Sequence, residues 1–255
     1  MYELVSRKKI YRDYLDDYLH KITFPKNSFN TTYMTSNSCG KLENRRKSGV
    51  IKSHRERFLA EVLSLPQSGK LGFALFDSPE TAYVLMPPFQ LLRTEEFTGC
   101  NFSQLLEVVN RPRHLLVILI RMGRYAAGII DGDKIIESKS GTRYVKNRHR
   151  AGGSSQRRFE RSRERLIREF YDDVCIKLKN LVEVKDHKID SLVYGGEKDT
   201  IRGFNQRCKF VQNKKIPTLD RILEINRPGR EELYRAVNEV YSCVIYKLRK
   251  TDNFQ

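Results

Sequence analysis

Two adjacent glycines, a nearby glutamine and a dense collar of cations are the residues of this chain best suited to chemistry. They are Gly152, Gly153 and Gln156, set between Lys146-Asn147-Arg148-His149-Arg150 and Arg157-Arg158-Phe159-Glu160-Arg161-Ser162-Arg163. Paired glycines allow positive φ and close backbone approach. Arg143, Lys146, Arg148, Arg150, Arg157, Arg158, Arg161, Arg163, Arg165 and Arg168 lie in one short stretch, interrupted only by Glu160 and Glu164. So many like charges repel one another unless an anion is the partner. A narrow, phosphate-rich site is the natural destination, and RNA fits it best.

Other chemistries fit these residues poorly. A phosphate-cradling P-loop needs GxxxxGK[ST], which is absent. Ser154 and Ser155 have no GxSxG elbow and no Ser–His–Asp order around them. Residues 147–158 hold no carboxylate, and only His149 there titrates near neutrality, which favours positioning of water over general acid–base catalysis. The five cysteines (Cys39, Cys100, Cys175, Cys208, Cys243) are scattered and never spaced as CxxC. That argues against a disulfide framework and a zinc ribbon, and for a reducing cytoplasm. The histidines have no metal-ligand spacing either, so neither a metal nor another cofactor is expected.

The elements that must hold this loop are legible on both sides. His114–Arg121 is a near-continuous apolar run, as in a strand covered on both faces. Tyr125–Ile130 and Lys134–Glu137 flank Asp131-Gly132-Asp133, a strong hairpin signal. After the loop, Phe159, Leu166, Phe170, Val174 and Leu178 predict one buried stripe on a long helix. Ser191–Tyr194 predicts a strand stopped by Gly195-Gly196, Thr218–Leu223 a short helix, and Leu233–Leu248 a final helix at i, i+3, i+4 spacing. Upstream, apolar spacing predicts a helix over 10–22, a polar loop over 26–49 and a helix capped by Ser53. A hairpin over Leu71–Met86 and a short helix over Phe102–Val109 follow.

The chain therefore reads as α/β, with a mixed sheet flanked by helices. Residues 1–66 form a basic, helical N-terminal extension, and residues 67–250 form the α/β domain, with the Gly-Gly loop at 143–163. The 255 residues carry a formal charge of +17 and are 39% hydrophobic, enough for a core and a strong pull on polyanions. The N-terminus has no apolar leader, and the longest apolar run, Leu115–Ile120, is far too short to span a bilayer.

Gly152-Gly153 followed by Arg158-Phe159-x-Arg161-x-Arg163 resembles the Gly-Gly-Gln loop and helix start of the archaeo-eukaryotic class of peptide-release factors. The order hairpin, loop, long helix and strand ending Tyr194-Gly195-Gly196 resembles their catalytic domain, and Gly72–Glu80 resembles an N-terminal hairpin of bacterial members. Release factors place Gln directly after Gly-Gly. Here Ser154 stands there and Gln156 lies two residues later, a displacement similar to the Vms-like release factor branch, which rescues stalled large ribosomal subunits. No counterpart of the zinc finger or ankyrin repeats of eukaryotic relatives is present.

The resemblance implies a codon-independent peptidyl-tRNA hydrolase of the cytoplasm, acting as a monomer. Gly152 and Gly153 would enter the peptidyl-transferase centre and Gln156 would orient water at the ester. Arg143, Lys146, Arg148, His149, Arg150, Arg157, Arg158, Arg161, Arg163 and Arg165 would meet ribosomal RNA and tRNA. Two other readings stay open: a ribosome- or tRNA-binding rescue module without catalysis, and an endonuclease of the tRNA 3′ end.

Overall fold

The computed structural model describes residues 2–22, 29–51, 53–66, 68–146, 155–183 and 188–251. In chain order the elements are β1 (Tyr2–Ile10), α1 (Leu15–Ile22), β2 (Asn30–Met34), α2 (Ser36–Lys47), α3 (His54–Val62), α4 (Ser68–Leu71), β3 (Phe73–Asp77), β4 (Thr81–Met86), β5 (Glu95–Thr98) and α5 (Ser103–Asn110). There follow β6 (His114–Arg121), β7 (Arg124–Asp131), β8 (Lys134–Thr142), α6 (Ser155–Glu183), β9 (Ser191–Gly196), α7 (Lys198–Arg207), α8 (Phe210–Asn213), β10 (Thr218–Leu223), α9 (Arg230–Val240) and β11 (Cys243–Lys250). They form two compact units, residues 1–111 with 241–255, and residues 112–240.

The second unit is built on a mixed sheet of order β10-β9-β6-β7-β8. β6 pairs antiparallel with β7 and parallel with β9, which explains its unbroken apolar run. One face of this sheet (Leu116, Ile118, Ala127, Ile129) packs on Phe170, Tyr171, Val174 and Leu178 of α6 and Phe204 of α7. The other face meets α9, where a Cβ on Gly128 would lie 3.6 Å from Leu233. The α/β reading with helices on a mixed sheet holds. Gly195-Gly196 does not stop β9 but completes it. Gly196 sits at φ +120°, and a Cβ there would lie 2.1 Å from the carbonyl oxygen of Ile120 on β6. Only glycine permits this approach.

The first unit corrects the expectation of a helical extension over residues 1–66. Its sheet runs β1-β11-β4-β3-β2-β5, so that segment supplies two of six strands. The helix expected over 10–22 begins only at Leu15, because Tyr2–Ile10 pairs along its whole length with β11. The loop expected over 26–49 holds β2 and α2; residues 26–28 lie outside the described residues. β2 is buried despite its polar sequence because its hydroxyls are satisfied. Thr31 donates to the Gly99 carbonyl at 2.8 Å and accepts from the Asn101 amide at 2.9 Å. The helices capped by Ser53 and spanning 103–110 form as expected, as does the 73–86 hairpin, whose turn is closed by Ser78 and Thr81.

Two further segments differ. Residues 218–223 are a strand, parallel to β9. The final helix ends at Val240, and β11 takes a place between β1 and β4. Cys175 and Cys208 form a disulfide between α6 and the end of α7, against the expectation of thiols only. Among the described residues, no helix is long and apolar enough to cross a membrane.

Candidate functional site

The loop is held by β8, the edge strand of the mixed sheet, and by α6. After Thr142 the chain is pinned to the β6–β7 turn, where the Arg143 amide donates to the Gly123 carbonyl at 2.9 Å. It then runs beside α6 toward that helix's N-terminus. The Arg143 guanidinium reaches Glu169 at 2.8 Å. Lys146 lies further up, where its ammonium donates to the Ser162 hydroxyl at 3.1 Å and sits 5.3 Å from the Phe159 ring centre. Arg163 Nε donates back to the Lys146 carbonyl at 3.0 Å. The stem is thus clamped by side chain, ring and backbone at once.

Helix α6 has 29 residues, a length of roughly 43 Å at 1.5 Å per residue. No described side chain before Phe170 is buried. Ile167, half-buried, joins the packed stripe, so the helix carries its first three turns, about 16 Å, beyond it. Phe159 is a correction to the predicted stripe: it lies seven residues before Leu166, on the same helical face, yet is 52% exposed. Sequence periodicity cannot show where the sheet beneath a helix ends.

The sequence-chosen residues separate into three groups. Gly152, Gly153, Arg148, His149 and Arg150 lie outside the described residues. Arg143, Lys146 and Arg163 are brought together as the stem clamp, and Arg165 sits 3.8 Å from Glu169. Arg157, Arg158 and Arg161 are exposed, and no acidic partner engages them among the described residues. Arginines in the first turns of a helix oppose its dipole, so this end attracts anions strongly. Gln156 lies in the first turn of α6, and its side-chain amide donates to Glu160 at 3.0 Å.

Sequence reasoning missed three features. Tyr144 is 75% exposed between Arg143 and Lys146 and offers a ring to a base. Ser162 is the hydroxyl that anchors Lys146, and nothing in its neighbourhood signals that role. Asp172 and Arg207 form a bidentate pair at 2.7 and 2.8 Å beside the disulfide. The Arg207 hydrogen bond holds the Asp172 carboxyl below its ordinary range. Among the described residues, no group of three or more His, Cys, Asp or Glu side chains is placed to hold a metal.

A basic, clamped loop stem on a mixed α/β sheet is suited to meeting a polyanion. The family model described as Actinobacteria/chloroflexi VLRF1 release factor matches residues 113–245, just over half of the chain. The chain belongs to this release-factor family. It is also 27% identical over 115 residues to peptide chain release factor subunit 1 of Aeropyrum pernix, a match covering 45% of this chain and 29% of that protein. Among solved structures it is similar to the archaeal translation termination factor aRF1, at 17% identity and a TM-score of 0.39, covering 91% of this chain and 73% of that one. Archaeoglobus fulgidus Pelota is similar at 12% identity and a TM-score of 0.28, covering 94% and 67%.

Proposed function

We propose that the protein hydrolyses the ester between a nascent peptide and tRNA on stalled large ribosomal subunits, without reading a codon. The observation that carries this reading is the stem clamp of Lys146, Phe159, Ser162 and Arg163 at the base of the Gly152-Gly153 loop, in a member of the VLRF1 release-factor family. Ester hydrolysis needs an oriented water and stabilisation of the tetrahedral oxyanion. Gly152 and Gly153 let backbone approach the ester, and Gln156 orients the water. Arg143, Lys146, Arg148, His149, Arg150, Arg157, Arg158, Arg161, Arg163 and Arg165 neutralise ribosomal RNA and the tRNA acceptor stem. The protein acts in the cytoplasm as a monomer and needs no cofactor.

Large subunits carrying labelled peptidyl-tRNA test it. Wild type should free peptide and leave tRNA intact, and Gly153→Ala and Gln156→Ala should slow release on the order of 100-fold, the cost of misplacing a reacting group. Shortened tRNA would mean nuclease action instead. One observation favours the second reading, a rescue module that binds without catalysis: the Gln156 amide is engaged by Glu160. Subunit binding with no release, unchanged in Gln156→Ala, would establish that reading and remove the first.

A further inference from the structure

Away from the loop, the first unit holds a cleft whose hydrogen bonding its own residues leave incomplete. Strand register brings Tyr2 opposite Lys250 and Asn30 opposite Asp77, all at one end of the six-stranded sheet. Alternation puts Asp77 on the face of Phe73 and Leu75, and Lys250 on that of Tyr246 and Leu248. This face is apolar along its middle and turns polar at its end. There the first turn of α3 brings in His54 and Arg55, leaving an open cleft of about 270 Å³.

Two features call for a ligand. Asp77 divides its carboxylate: Oδ2 accepts from Arg55 at 2.8 Å, and Arg55 also donates to the Thr32 hydroxyl. Oδ1 is buried and accepts no hydrogen bond from any described residue. An acceptor left in that state is costly, and a small turn of the Asp77 carboxylate toward the cleft it lines lets an entering N–H donor relieve the cost. Beside it, Tyr2 stacks on Phe58 with ring centres 4.0 Å apart and planes 22° apart, and both rings line the cleft. Lys250, exposed, adds a cation at its rim, and His54, also exposed, adds an imidazole that can donate a hydrogen bond.

We propose that this cleft binds a single nucleotide, its base against the Tyr2–Phe58 rings, a base N–H on Asp77 Oδ1 and its phosphate at Lys250 and His54. One ligand must supply a planar face, a donor and an anion in a space just below that of drug-sized sites, roughly 300–1,000 Å³. A nucleotide supplies all three, and base stacking on aromatic rings tolerates any base. The carboxylate oxygen is an acceptor only, so bases with an exocyclic amine (guanine, cytosine, adenine) are favoured. Uracil presents its one N–H between two carbonyl oxygens and is disfavoured. The nucleotide is either free or an unstacked nucleotide of RNA. The inference rests on residues separate from the loop and stands whether or not peptide is released.

Calorimetric titration of the full chain with the four nucleoside 5′-monophosphates and with a short single-stranded RNA tests it. Tighter binding of GMP, CMP or AMP than UMP assigns a free nucleotide; binding of the RNA alone, sensitive to the variants below, assigns an RNA nucleotide. Asp77→Asn keeps an oxygen for Arg55 and offers an N–H to the cleft, so the preference for amine-bearing bases should fall roughly tenfold or more. Lys250→Gln should weaken monophosphates several-fold while leaving unphosphorylated nucleosides unchanged. A thermal melt confirms that both variants fold. Absence of binding by every probe, or binding identical in wild type and both variants, overturns the proposal.

Discussion

Lys146 makes three contacts: its ammonium meets Ser162 and the Phe159 ring, and its carbonyl accepts from Arg163. The side-chain contacts are largely solvated, so the cation–π part contributes only about 0.5–1 kcal/mol. Lys146→Met should therefore barely change the melting temperature yet slow peptide release, because the loop base loses its placement. An equal loss of stability and release would assign Lys146 a purely structural role. Tyr194 gives a different kind of test. Its hydroxyl donates to Asn205 at 2.6 Å, and burial pushes its pKa from 10.0 up to about 12. The unfolded chain gives up this proton near pH 10 and the folded chain only near pH 12. The stability Tyr194 lends is thus complete below pH 10 and is lost as pH rises from 10 to about 12. Urea unfolding on either side of pH 10 should show a shallower alkaline loss for Tyr194→Phe than for wild type. Equal slopes would remove Tyr194 as a source.

Helix α6 must hold a projecting basic end while only the part from Ile167 onward packs on the core. Asp172–Arg207 and Cys175–Cys208 meet that demand by tying one stretch of α6 to the end of α7. The disulfide closes a loop of 33 residues, a restriction of the unfolded chain of about 3–4 kcal/mol in the chain-entropy model. Reduction should lower the unfolding free energy by that order, read as a lower urea midpoint with reductant. An unchanged midpoint would mean that the remaining packing alone fixes α7. The cysteine spacing hid this pair, since residues 33 apart meet only after both helices pack. Other elements show the same limit. The Phe170–Leu178 stripe was legible because the sheet covers it, whereas Phe159, on the same helical face, is half-exposed beside Lys146. β11 kept helical spacing through Leu248 because Val244, Ile245 and Leu248 put apolar side chains on both of its faces, and such a run fits either period. β2 escaped notice because Thr31 and Thr32 satisfy their hydroxyls only through partners distant in the sequence. Of the loop's chosen cations, Arg143, Lys146 and Arg163 are the ones the structure brings together, and they lay within one short stretch of the sequence.

At the scale of the whole molecule, a formal charge of +17 gives any RNA affinity a large non-specific component. The loop stem spends Arg143, Lys146 and Arg163 on internal contacts, so these cations place the loop as much as they attract phosphate. Arg157, Arg158 and Arg161 have no acidic partner among the described residues and are available to neutralise phosphates. Three such contacts correspond to a slope of about −2 in log K against log salt for a single strand. Replacing all three by alanine should flatten the measured slope for RNA or large subunits by about that amount. The same loss of charge at Arg7, Lys8 and Lys9, exposed on the edge strand β1 of the other unit, should leave it nearly unchanged. Affinity measured over a salt series for both variants separates directed contact from diffuse attraction. Equal flattening in the two would show that net charge alone draws the protein to RNA, and that the projecting end of α6 does not touch it.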